Sequence, residues 1–295
     1  MSKLNEEKVR ALIDLMNSTT LGKVPADPEI LECFEMGMCQ KTCDYLLAVG
    51  NKEHTYDELK QIYDETFNDG LFEETWAEIF EMSFLMRCSD KEHYIIASIF
   101  PGWIEMSVSG PLTDKRRNIL NKFVEFWTKL YYANVPHIRH MMDTASKKSL
   151  EDAPARMTTY VARGSREVVL NQPLSSEQTI YTASEIYKIL ENHKDSISVM
   201  NCFCRQHKQM NGGDECELGI PLQACVTIGA ISDQLVENGT ARRISFDEAC
   251  DLMEDFEKKG CIHTAFHYGH NVENEVIVIC NCCTDCCELY ASWRK

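Results

Sequence analysis

Eleven of the chain's fifteen cysteines fall in its last third: Cys202, Cys204, Cys216, Cys225, Cys250, Cys261, Cys280, Cys282, Cys283, Cys286 and Cys287. Five of these thiols lie within eight residues, in Cys280-Asn-Cys282-Cys283-Thr-Asp-Cys286-Cys287. An odd number of thiols, behind a first segment (Met-Ser-Lys-Leu-Asn-Glu-Glu-Lys) with no apolar signal run, reads against a secreted disulfide framework. The expected setting is a reducing cytoplasm, where clustered thiols bind metal.

Two sets of candidate ligands follow from spacing. Cys202-x-Cys204-Arg205 with Cys216 and Cys225 is the first, and the Cys280 to Cys287 run is the second. The second contains Cys280-x-x-Cys283-x-x-Cys286, the spacing with which three thiolates wrap three irons of a cubane. The fourth ligands are not assigned by spacing, and an exchange of ligands between the sets is equally compatible. Four thiolates also suit tetrahedral zinc, but the density of the tail favours polynuclear clusters. Arg205 is a candidate for tuning such a cluster through its positive charge, or equally for pinning its loop to a carboxylate. His263, His267 and His270 are candidates for proton or metal chemistry, with a hydrogen-bonded interior His263 as the plainer account.

The stretch from Ser198 to Cys287 resembles a family of prokaryotic 4Fe-4S-binding, ferredoxin-like proteins. The resemblance is carried by Cys202, Cys204, Arg205, Cys216, Cys225, Arg243-Ile244-Ser245, Glu248-Ala249, Gly260, His263 and Cys280 through Cys287. Where that family commonly has a glycine between the paired tail cysteines, this chain has Thr284-Asp285. The resemblance implies one or two [4Fe-4S] clusters, with Arg205 and His263 beside them, and a helical, winged-helix-like front similar to residues 30–108.

The front pattern agrees with an α+β chain. Helices are expected over Glu6–Met16, Ile30–Val49, from Thr55 with its capping box to Glu58, and over Phe72–Met86. Tyr94–Ile99 and Trp103–Val108 flank Pro101-Gly102 and read as a hairpin. Helices followed by a hairpin give the winged-helix order. A long helix is expected from Asp114 to Tyr132, a β-rich stretch over Tyr160–Leu170, and helices over Ser184–Asn192 and from Ser245. The expected domains are 1–110 (winged-helix-like), 111–195 (long helix and connecting segment) and 196–295 (a small iron–sulfur domain). Cys33, Cys39 and Cys43 read as packing residues, as do Cys250 and Cys261.

Charge narrows the partners. Against 30 Lys and Arg stand 46 Asp and Glu, so nucleic acid is disfavoured because its affinity comes from cations. The candidate third helix carries Glu73, Glu74, Glu78 and Glu81, which would repel phosphate. No apolar run is long enough for a membrane span. The expected function is electron transfer with a redox protein partner, and a homodimer is left open. The rivals are an enzyme using an open-site cluster and a redox-sensing winged-helix regulator.

Overall fold

The computed structural model describes residues 4–18, 24–129, 157–161, 181–268 and 275–288. It is a mixed helix and sheet protein, in agreement with the α+β expectation. The chain divides into two units: Met1–Leu130 with Gln234–Ala241, and Tyr131–Asp233 with Arg242–Lys295.

The first unit begins with α1 (Glu6–Asn17), α2 (Pro28–Gly37) and α3 (Gln40–Val49). The continuous helix expected over Ile30–Val49 is broken, because Met38 and Cys39 are extended. Gly37 sits at the break for a packing reason: a Cβ there would stand 3.2 Å from the Trp103 ring and 3.4 Å from Phe84. After β1 (His54–Thr55), α4 (Tyr56–Phe67) opens on the Thr55–Glu58 capping box, with both reciprocal bonds present. Helix α5 (Phe72–Glu81) is shorter than the expected Phe72–Met86, because Ser83 turns with φ 55° and β2 (Leu85–Arg87) follows.

Strand β3 (His93–Ile96) pairs antiparallel with both β2 and β1, giving a three-stranded sheet. The hairpin is therefore β2–β3, turned by Asp90, whose carboxylate accepts from the amides of Glu92 and His93.

The expected hairpin around Pro101-Gly102 is a correction. Residues Ile99–Trp103 form a π-helical turn that leads into α6 (Ile104–Val108). Gly102, at φ 149°, donates its amide to Glu105 Oε2 at 2.8 Å. Strand propensity in Trp103–Val108 yields to burial, since Trp103 stacks on Phe84 and touches Phe34. Helix α7 (Asp114–Trp127) packs on α2, with Phe123 and Trp127 against Phe100. The remainder of the expected Asp114–Tyr132 helix, from residue 130, lies outside the described residues, as does most of the β-rich stretch after β4 (Met157–Val161).

The second unit is built on a seven-stranded sheet. Its elements are β4, β5 (Tyr181–Thr182), α8 (Ala183–Asn192), β6 (Ile197–Asn201), α9 (Phe203–Met210), β7 (Gln223–Ile228), α10 (Gly229–Glu237), β8 (Ala241–Arg243), α11 (Phe246–Lys258), β9 (Ile262–His267) and β10 (Val276–Cys282). The end of α10 and β8's first residue are counted with the first unit. The strand order is β5-β4-β9-β10-β7-β6-β8. Helices α8 and α11 bury Ile186, Leu190, Ala249 and Met253 with Ile197, Val199, Val226, Ile228 and Ile279 of the strands. Burying this apolar set is the main stabilising contribution of the unit. Among the described residues no helix is long and apolar enough to cross a membrane.

Candidate metal centre

Strand alternation decides where the sulfurs go. Val199, Val226 and Ile279 join the apolar core, so their neighbours Met200, Cys225 and Cys280 are turned to the other face of the sheet. Cys225 is directly opposite both Cys280 on β10 and Met200 on β6. Cys282 continues that parity at the end of β10, and Cys202 follows β6, past a register shift between Met200 and Asn201, as the N-cap of α9. Cys204 and Arg205 follow on α9, while Cys283, Cys286 and Cys287 lie in the turn after β10 and Cys216 in the loop before β7.

The two stretches meet. Thiol contacts run from Cys280 to Cys225, from Cys225 to Cys202, from Cys202 to Cys204, from Cys204 to Cys287 and from Cys287 to Cys282. These six sulfurs form a string whose ends approach each other, since Cys282 also senses the charges of Cys280 and Cys202. A second group is compact: the sulfurs of Cys216, Cys283 and Cys286 all lie within 4.8 Å of one another, and it is the one such ligand group among the described residues. All nine cysteines named from the sequence are thereby brought into one of two groups. The cysteine-rich region thus holds a cluster able to bind a metal ion.

Electrostatics differ along the string. The Cys202 thiol is held well below its ordinary range by bonds from Cys204 and Cys225, helped by the Arg205 charge and opposed by burial. Cys204, Cys225 and Cys282 are pushed well above theirs, first by neighbouring thiols and then by burial. Burial alone would raise Cys216. The amides of Ile220 and Leu218 and the sulfurs of Cys286 and Cys283 reverse this and hold it below the ordinary value.

Arg205 is 2% exposed, with its guanidinium among these sulfurs. Nη2 donates to the Asn281 carbonyl at 2.9 Å, while Nε and Nη1 are buried without a hydrogen-bond partner. Burial opposes its charge, but the charges of Cys202, Cys283 and Cys225 and a bond to Cys216 outweigh this and raise its pKa. A buried cation so placed requires anionic partners.

His263 is fully buried in β9, opposite Asn281 of β10. Its Nδ1 pairs with Asn281 Oδ1 at 2.6 Å and its Nε2 lies 3.4 Å from Glu257. Tyr187 donates to the same Glu257 carboxylate at 3.0 Å. The interior, hydrogen-bonded account of His263 therefore holds, on a strand rather than in a covering loop. It lies on the helix-covered face, and it reaches the sulfurs through Asn281, which separates Cys280 from Cys282. His267 is also buried, and His270 lies outside the described residues.

Three supporting residues were not singled out by the sequence reading. Asn281 donates its Nδ2 to the Ala224 carbonyl at 2.7 Å, locking β10 to β7 beside Cys225. A polar residue between the two cysteines that end the apolar run Val-Ile-Val-Ile-Cys-Asn-Cys was the available signal. Asp285 binds Lys208 at 2.7 Å and accepts from the Glu217 amide at 2.9 Å, tying the tail to α9 and to the Cys216 loop. Nothing in the sequence linked Lys208 to Asp285, 77 positions away. Cys261 is buried and its thiol pushed up to about 12, mainly by burial, in keeping with a packing role. Cys250 is half-buried, more open than the packing role expected for it.

No protein-family model, no curated protein and no solved structure matches this chain.

Proposed function

We propose that the chain is an iron–sulfur protein that holds at least one [4Fe-4S] cluster on the six-sulfur string and carries single electrons to or from a redox protein partner. The observation that carries this reading is the meeting of Cys202, Cys204 and Cys225 with Cys280, Cys282 and Cys287 around a buried, under-bonded Arg205. A donor set of six thiolates exceeds what one tetrahedral ion takes and suits a polynuclear cluster. When bound, such a cluster supplies a one-electron redox couple.

The remaining work belongs to the chain. Four of the six thiolates would bind the irons of one cubane, drawn from the strand pair Cys225–Cys280 and from segments that meet it only on folding. Arg205 favours the more negative, reduced state and so raises the potential. Asn281, fixed by His263 and Ala224, holds Cys280 and Cys282 at their spacing. Cys202, Cys225, Cys282 and Cys287 are buried, which limits water at the site, while Cys204 and Cys280 are half-buried.

For the first unit, the order helix, strand, helix, helix, hairpin (α3, β1, α4, α5, β2–β3) supports a winged-helix-like fold. Its α5 exposes Glu73, Glu74 and Glu81, which favours a basic protein surface over DNA as the docked partner.

The test is anaerobic purification of the full chain with iron and sulfide assays and a dithionite titration. A brown protein whose visible absorption bleaches on reduction is expected, with most of that colour lost in Cys204→Ser. Absence of both iron and sulfide overturns the assignment.

A further inference from the structure

The compact group differs from the string in that its three sulfurs are all close to one another, whereas no three sulfurs of the string all lie within 4.8 Å of each other. Cys216 Sγ and Cys283 Sγ are 3.7 Å apart, and Cys286 Sγ is within 4.8 Å of both. Thiolates on one tetrahedral zinc, each ~2.3 Å from the ion, stand about 3.8 Å from one another. Three sulfurs gathered on one point in this way leave no room between them for a cluster body and suit one ion.

The backbone is shaped to match. The Cys286 amide donates to Cys283 Sγ at 3.3 Å, across a Cys-x-x-Cys turn. The amides of Leu218 and Ile220 donate to Cys216 Sγ, across a turn closed by Gly219 at φ 65° with its own amide on the Cys216 carbonyl. Two tight turns therefore aim amide hydrogens at two sulfurs of the same group, which stabilises them as anions. Asp285 anchors one turn to the other, since its carboxylate accepts from the Glu217 amide and lies 3.2 Å from Cys286 Sγ. Three thiolates on a divalent ion carry one net negative charge, and Arg205, bonded to Cys216, brings one positive charge.

We propose that Cys216, Cys283 and Cys286 form a separate site for a single tetrahedral divalent ion of the zinc type, completed by an oxygen donor. The chain then holds two kinds of metal: a polynuclear cluster on the string and one ion at the turns. The division rests on the iron–sulfur reading only for the identity of the string's occupant. The single-ion site stands on its own geometry.

Zinc, iron and sulfide are measured per chain for the full-length protein and for C216S and C204S, all purified anaerobically. The expected wild type carries zinc as well as iron. C216S loses the zinc and keeps iron and sulfide, whereas C204S loses iron and sulfide and keeps the zinc. A wild type without zinc, in which C216S lowers iron and sulfide, overturns this inference and leaves the iron–sulfur reading standing. Zinc without any iron overturns the iron–sulfur reading and leaves this inference standing.

Because a folding defect would also release metal, cobalt(II) exchanged into the wild-type chain gives a second reading. A thiolate-to-cobalt charge-transfer band that added zinc displaces supports the site. No such band in a chain that retains its iron refutes it.

Discussion

Replacing Arg205 by Met separates a charge-compensating role from simple packing. The guanidinium is 2% exposed, meets one backbone carbonyl, and otherwise faces sulfur. With metal bound every ligating sulfur is an anion, so removing the cation strands negative charge in a buried site. Breaking a buried pair in this way costs ~3–5 kcal/mol. At 1.4 kcal/mol per tenfold, that is about two to three and a half powers of ten in metal affinity. Without metal the balance changes. Cys204, Cys225 and Cys282 are pushed above their ordinary range and stay protonated at neutral pH. A cation with few bonded partners then stabilises little, and Met fills much of its volume. Competition with a chelator should therefore show R205M binding metal at least a hundredfold more weakly, while thermal melts of the metal-free proteins differ by a smaller free energy. R205M with wild-type metal affinity, or with an equal loss in the loaded and metal-free chains, would refute the reasoning.

Asn281→Leu leaves the Ala224 carbonyl and His263 Nδ1 without their buried partner, and at ~1–3 kcal/mol per stranded group it should destabilise the second unit by about 2–6 kcal/mol in urea titrations; a loss below ~1 kcal/mol would contradict the role given to Asn281. Glu105 is pushed up to about 8, mainly by burial and against the Gly102 amide bond. Its folded pKa lies above the unfolded one, so its contribution is full below about pH 4.3 and is lost as pH rises through about 8. Tryptophan-fluorescence melts should fall over that window in the wild type and lose that slope in Glu105→Gln. Thr55→Ala removes the hydroxyl half of the α4 capping box and should cost about 1 kcal/mol by urea denaturation. Gly37→Val drives a branched side chain into Trp103 and Phe84, and overpacking of this kind should cost ~1–3 kcal/mol or more in the same assay.

The parts of the fold written in the sequence are those set by local chemistry. The Thr55–Glu58 box, the Ser245 start of α11 and the apolar stripe of α7 depend on neighbours within a few residues, and all are found where the pattern puts them. Gly37 and Pro101-Gly102 misled for the opposite reason. Their conformations are decided by Trp103, a residue distant from the first and buried by contacts that no window of sequence contains. At the candidate site, cysteine spacing named all nine sulfurs but not their division. Cys283 and Cys282 are adjacent in the chain and go to different groups, because Cys282 ends a strand and Cys283 begins a turn. Strand register and the Asp285 tether make that division, and both are properties of the folded chain.

The most direct test of the central claim is the metal and thiol content of the native chain, measured on one anaerobic sample. If thiolates from residues 202–225 and 280–287 together hold metal, the chain retains bound metal through gel filtration. The sulfurs that ligate metal then stay blocked to a thiol reagent until the metal is stripped. Prompt modification of Cys202, Cys204 and Cys280 through Cys287 in the folded chain, with no metal retained, would contradict it.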